Sequence, residues 1–114
     1  MERKRRRGRG GGRLISNNFE GKKQLVAELS EVLKKCSTSS IANIELKRYQ
    51  HKTNGWYQEF VLLTWNNGAI STANNNANSL PATARNVTRM MDGGVYENLD
   101  LYKKIMNSDE WIEF

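Results

Sequence analysis

The feature that most constrains this chain is a change in the spacing of its apolar residues. From Phe19 to Cys36 they fall at Leu25, Leu29, Val32, Leu33 and Cys36, which places them on one side of an α-helix. Asn17 or Asn18 suits the cap at its start, and Ser37 to Ser40 are residues that favour turns over helix interiors. The spacing then drops to two: Ala42, Ile44 and Leu46 share one side of an extended strand, and Asn43, Glu45 and Lys47 share the other. The chain therefore reads as a helix followed by a sheet.

Turn chemistry divides the sheet. Thr53-Asn54-Gly55 ends the first strand, Ile41 to Gln50, and Trp56 to Trp65 is rich in the aromatic and β-branched residues of a central strand. Asn67-Gly68 meets the demand of a two-residue type I′ hairpin for positive φ at both central positions, so Ala69 to Ala73 returns antiparallel. With those two residues as the loop, Trp65 faces Ile70 and Leu63 faces Thr72. One sheet face then carries Val61, Leu63, Trp65 and Ile70, and the other carries Trp56, Phe60 and Leu62. Both faces being apolar, helices are expected over one and partial cover over the other.

Beyond the polar run Asn74 to Asn78, Ser79 reads as an N-cap, with Pro81 tolerated in the first turn. Leu80, Ala84, Val87 and Met91 mark the buried face of a second helix, stopped by Gly93-Gly94. Glu97 to Asn107 reads as a third helix around Leu101, Tyr102, Ile105 and Met106. The closing Trp111-Ile112-Glu113-Phe114 is too apolar to be left loose and is expected to dock on the domain or on a partner. The fold class is α+β: a small α-β-β-β-α-α domain with a three-stranded antiparallel meander packed by helices.

Charge separates the chain into two parts. Of its 18 Lys and Arg residues, seven (Arg3, Lys4, Arg5, Arg6, Arg7, Arg9 and Arg13) lie in the first 13 positions beside one acid, Glu2; 11 basic and 11 acidic residues follow from Leu14 onward. The whole formal net charge of +6 thus belongs to a basic Arg/Gly arm, residues 1–13. That arm has no apolar side chain after Met1, and its glycines add backbone entropy, so it is expected to be disordered when free. Residues 14–114 are expected to form one α+β domain, the size that 114 residues allow.

Several classes of function lose support. A single cysteine, Cys36, closes no intrachain disulfide, and with one histidine, His51, no clustered zinc site assembles. No apolar run approaches the roughly 20 residues needed to cross a bilayer. The expected setting is soluble and cytoplasmic, with no membrane partner. His51 lacks a companion acid and nucleophile at readable spacing, Cys36 falls on the apolar helix face, and no Gly-rich phosphate loop follows a strand. No enzyme and no cofactor are expected.

What remains is recognition. Arginine's planar fork donates to phosphate in pairs and stacks on bases, while interspersed glycine lets a backbone follow a groove, so the arm is expected to bind RNA or DNA. Within the domain, Lys47, Arg48, His51 and Lys52, beside Tyr49 and Trp56, form a basic and aromatic cluster at the first hairpin; an ordinary charged hairpin is the alternative. Arg85 and Arg89, four apart on the second helix, could clamp a phosphate, with Thr83, Asn86 or Thr88 contributing hydrogen bonds, or simply face solvent.

The order helix, three antiparallel strands, helix over residues 19–92 resembles the double-stranded RNA-binding domain in topology. The chain departs from that family's pattern in having no Gly-Pro-x-His after the first strand and in opening its second helix with Ser79-Leu80-Pro81-Ala82. In overall organisation, a basic arm on a tiny Asn-rich α/β domain is similar to small phage-encoded proteins of the anti-CRISPR inhibitor type. That resemblance implies an arm that touches guide RNA or occupies a groove accessible to a basic arm, and a domain supplying protein contacts. Three functions follow as expectations: a non-enzymatic nucleic-acid-binding protein, an inhibitor of a nucleoprotein enzyme such as a guide-RNA-loaded nuclease, and a capsid or genome-packaging protein.

Overall fold

A computed structural model describes residues 18–93 and 99–114. The arm, with Arg3, Lys4, Arg5, Arg6, Arg7, Arg9 and Arg13, lies outside the described residues, as do Gly94 and Glu97. Helix α1 (Phe19–Lys34) is capped by Asn18, whose Oδ1 accepts from the Gly21 N–H at 3.2 Å. Strands β1 (Ile41–His51), β2 (Tyr57–Trp65) and β3 (Ile70–Asn74) follow as an antiparallel meander. Ser79 then caps α2 (Leu80–Met91), α3 covers Leu99–Met106, and the chain closes with β4 (Trp111–Glu113).

The sheet has four strands, in the order β3-β2-β1-β4, where three were expected. The fourth is the apolar C-terminus, which docks on the domain by pairing antiparallel with β1 from Tyr49 to His51. Such a short strand has no period of its own to read, and only the free edge of β1 gives its backbone partners.

Side chains sort by strand alternation. Ile44, Leu46, Val61, Leu63 and Ala73 meet Phe19 and Val26 of α1 and Val87 and Met90 of α2 on one face. Tyr49, Phe60 and Leu62 meet Tyr102 and Ile105 of α3 on the other. Two helices cover one face and one helix the other, as the doubly apolar β2 requires.

The second hairpin corrects the expected register. Thr64 pairs with Ile70 and Leu63 with Ser71, one residue away from the pairing that a two-residue loop would give. The Gly68 N–H donates to the Trp65 carbonyl at 2.9 Å with Gly68 at φ +88°, and the Trp65 N–H donates to the Ala69 carbonyl at 2.9 Å. Asn66, Asn67 and Gly68 therefore make a three-residue loop with glycine in the left-handed position. A slip of one residue exchanges faces, so Ile70 leaves the face of Val61 and Leu63 and lies exposed.

The helix faces are also rotated from expectation. Helix α1 buries Phe19, Lys22, Val26 and Ser30, while Leu25, Leu29 and Leu33 are half-buried and Val32 is 65% exposed. Helix α2 buries Thr83, Asn86, Val87 and Met90, with Leu80 exposed and Ala84 and Met91 half-buried. In each helix, polar side chains with buried hydrogen-bond partners take inward positions and turn part of the apolar stripe toward the α1/α2 groove. Cys36 lies beyond the end of α1 and is exposed, not on the buried helix face. No helix among the described residues is long and apolar enough to cross a membrane.

Candidate nucleic-acid interface

One end of the domain collects the first hairpin, the starts of α1 and α2, and the C-terminus. It is held by a buried polar network centred on Glu59. Alternation along β1 carries Arg48 inward, in phase with Ile44 and Leu46, and Glu59 of β2 lies directly opposite it. Arg48 donates to Glu59 Oε1 from Nε at 3.2 Å and from Nη2 at 2.8 Å. Lys22 Nζ donates to Glu59 Oε2 at 2.8 Å and to the Asn78 carbonyl at 3.0 Å. Asn75 Nδ2 donates to Glu59 Oε2 and to Thr83 Oγ1, both at 2.8 Å, and Asn75 Oδ1 accepts from Asn78 and Asn86 at 2.7 and 3.0 Å.

Lys22, Arg48 and Glu59 are fully buried. Charges are tolerated there because each is paired and hydrogen-bonded. The Arg48 guanidinium also lies 4.5 and 4.6 Å from the ring centroids of Phe19 and Tyr57, and 5.7 Å from that of Phe114. Together these contacts lock α1, β1, β2, α2 and the last residue of the chain into one rigid end.

This arrangement redraws the hairpin cluster. Arg48 is committed to the interior and presents no guanidinium to solvent. Lys47 is half-buried, its Nζ 4.0 Å from Glu113 Oε1. His51 packs edge-on to Trp111 with 5.1 Å between ring centroids; its Nδ1 accepts from the Thr53 and Asn54 N–H groups, and its Nε2 lies 3.9 Å from Glu110. Lys52 is exposed, and Trp56 stands 72% exposed at the foot of β2. Arg85 and Arg89 are exposed on α2, away from its buried side. The structure thus leaves Lys52 and Trp56 exposed at the first hairpin, with Lys47 half-buried beside Glu113, and leaves the α2 pair exposed on its helix.

Helices α1 and α2 both begin at this end, joined by the bond from Lys22 to Asn78, the residue before the α2 cap. Their positive dipole ends therefore share a pole. Asn18, the first described residue, sits at the same pole, so residues 1–17 join the domain there.

Sequence reading missed Lys22, Glu59 and Asn75 as a group. The signals were present: Lys22 precedes the buried Val26 by one helical turn, and Glu59 is in phase with Val61 and Leu63. Two ionisable groups also have displaced pKa values. Hydrogen bonds from Thr38 hold the Cys36 thiol below its ordinary value, and burial, with the hydrogen bond to Tyr102, pushes Tyr49 well above the usual phenol range. Among the described residues no three His, Cys, Asp or Glu side chains converge as metal ligands would. Comparison with known protein families, curated proteins and solved structures finds no match.

Proposed function

We propose that this protein binds nucleic acid without catalysis, with the basic arm supplying affinity and the domain positioning the arm. The observation that carries the proposal is the concentration of seven basic residues against one acid in positions 1–13, ahead of a charge-balanced remainder. Ion pairing inside the domain sharpens the contrast. Lys22 and Arg48 are committed to Glu59, Lys34 lies 3.2 Å from Glu31, and Lys47 lies near Glu113. The other cations of the domain, Lys23, Lys35, Lys52, Arg85, Arg89, Lys103 and Lys104, are exposed among exposed acids such as Glu20, Glu28, Glu45, Asp92 and Asp100, whereas positions 1–13 hold seven cations beside one acid.

Placement supports the same reading. The arm joins at the pole toward which both helices direct their positive ends, where a phosphate backbone is electrostatically favoured. An extended arm of this length reaches about 45 Å, enough to span a duplex or track a strand.

The test is a salt titration of the full-length chain against labelled RNA and DNA. Counterion release predicts that log affinity falls with log salt at a slope of about −5 to −6 when most arm charges engage. Deleting residues 1–13 should weaken binding without moving the urea midpoint of the domain. Trp56→Ala should leave stability within about 0.5 kcal/mol, as for an exposed site, while weakening binding through loss of a stacking surface. A salt slope near zero would remove the proposal.

A further inference from the structure

Between the first hairpin and the C-terminal strand lies an open cleft of about 390 Å³. It is lined by Ile112 and Phe114 of the C-terminal segment and by Gln50, His51, Lys52, Thr53 and Gly55 of the first hairpin. Gln50 Nε2 donates to the Gly55 carbonyl at 3.0 Å and so ties the strand to the hairpin.

Two properties of this cleft stand out. Ile112 is 53% and Phe114 45% exposed, in a chain that had buried positions to offer apolar side chains and filled some of them with Lys22 and Arg48. Phe114 is also held firmly: its N–H donates to the Arg48 carbonyl at 3.0 Å, and its ring lies 6.2 Å from that of Phe19 and against the buried guanidinium. An aromatic ring fixed by its neighbours yet open to solvent loses little entropy on stacking against a planar ligand.

We propose that this cleft takes an unpaired nucleobase against Phe114 and Ile112, so that the ligand of the arm is a single strand rather than a duplex. The inference rests on the nucleic-acid reading above and deepens it. A base has an apolar face for the Ile112/Phe114 wall and polar edges for the hairpin side, and Lys52 supplies a cation at the rim for the adjoining phosphate. The bases of a duplex are stacked on one another and expose only their edges in the grooves, so a duplex cannot fill the cleft. Continuity with the arm selects nucleic acid over other planar ligands: Phe19, which touches Phe114, is the residue after Asn18, where the basic segment joins the domain.

The test uses the full-length protein and fluorescence anisotropy at fixed salt. Probes are labelled oligo-dT and oligo-U of about 12 nucleotides, within the span of small single-strand modules, and a duplex of matching length. Either single strand is expected to bind at least about tenfold tighter than the duplex. Phe114→Leu, which keeps apolar packing on Phe19 but removes the π face, should weaken single-strand binding about five- to tenfold, as loss of one stacked base does. It should leave both duplex binding and the salt slope unchanged. Ile112→Ala, at a more exposed position, should act in the same direction, and urea midpoints identify any variant that loses its fold. Equal affinity for single strand and duplex, or folded variants that bind single strand as well as the parent does, overturns this inference while a steep salt slope keeps the arm reading. A flat salt slope overturns both.

Discussion

Replacing Glu59 by glutamine tests whether the buried network organises the domain. The change conserves shape and removes one charge. In the parent, Glu59 accepts from Lys22 at 2.8 Å, from Arg48 at 2.8 and 3.2 Å and from Asn75 at 2.8 Å, all without contact with solvent. In Glu59→Gln one accepting oxygen becomes an NH2 donor, so at least one of these donors meets another donor. The Lys22 ammonium then keeps the Asn78 carbonyl as its partner among the described residues. Breaking a buried ion pair from one side costs about 3–5 kcal/mol, against a total stability of about 5–15 kcal/mol for a domain. At an m-value of about 2 kcal/mol/M, a loss of about 4 kcal/mol lowers the urea midpoint by about 2 M. Equilibrium unfolding followed by tryptophan fluorescence reads this, with the half-buried Trp65 as reporter. Glu31→Gln is the control, because the exposed Lys34–Glu31 pair at 3.2 Å should contribute under about 1 kcal/mol. Adding Lys22→Met to Glu59→Gln should restore part of the loss, since the charge left unpaired is then gone. A Glu59→Gln variant no less stable than the Glu31→Gln control would refute the account.

Three further outcomes are expected. Tyr49 has its pKa raised by burial and by the hydrogen bond with Tyr102; its contribution is complete below the unfolded phenol value of about 10 and is lost as pH rises above it, so Tyr49→Phe should flatten the alkaline fall in stability measured by urea unfolding at stepped pH. Cys36 is exposed, with its thiol pKa lowered by Thr38, so iodoacetamide should alkylate the native protein faster than a free cysteine peptide, and Thr38→Val should slow the reaction followed by mass spectrometry. Gly68 sits at φ +88° with open space where an added methyl group would lie, so Gly68→Ala should cost only the left-handed backbone penalty, about 1–2 kcal/mol, read as a lower urea midpoint.

The order of elements was legible because each rests on local pattern. Helix α1, the three meander strands and α2 were expected where they occur, and Asn18 and Ser79 cap the helices as their short polar side chains suggest. The candidate site was legible only in part. Lys52 and Trp56 reach the surface, but Arg48, grouped with them by neighbourhood in the chain, points to the other side of β1. Alternation with Ile44 and Leu46 already implied this, yet an isolated strand gives no reason to bury a guanidinium. The reason is Glu59, brought opposite by strand pairing.

The separation of charge between a basic N-terminal segment and a balanced remainder is determined by sequence alone, since it is a count that folding cannot alter. So is the alternation of helical and extended segments, set by side-chain periodicity and turn chemistry. Tertiary structure decided what those patterns could not contain: the slip of one residue at Gly68, the docking of Trp111–Glu113 on the edge of β1, and the burial of Lys22 and Arg48 around Glu59. Each joins segments distant in the chain, and its free energy comes from partners that local sequence does not specify. The cleft beside Phe114 belongs to the same class, because its two walls meet only when the C-terminal strand closes on β1.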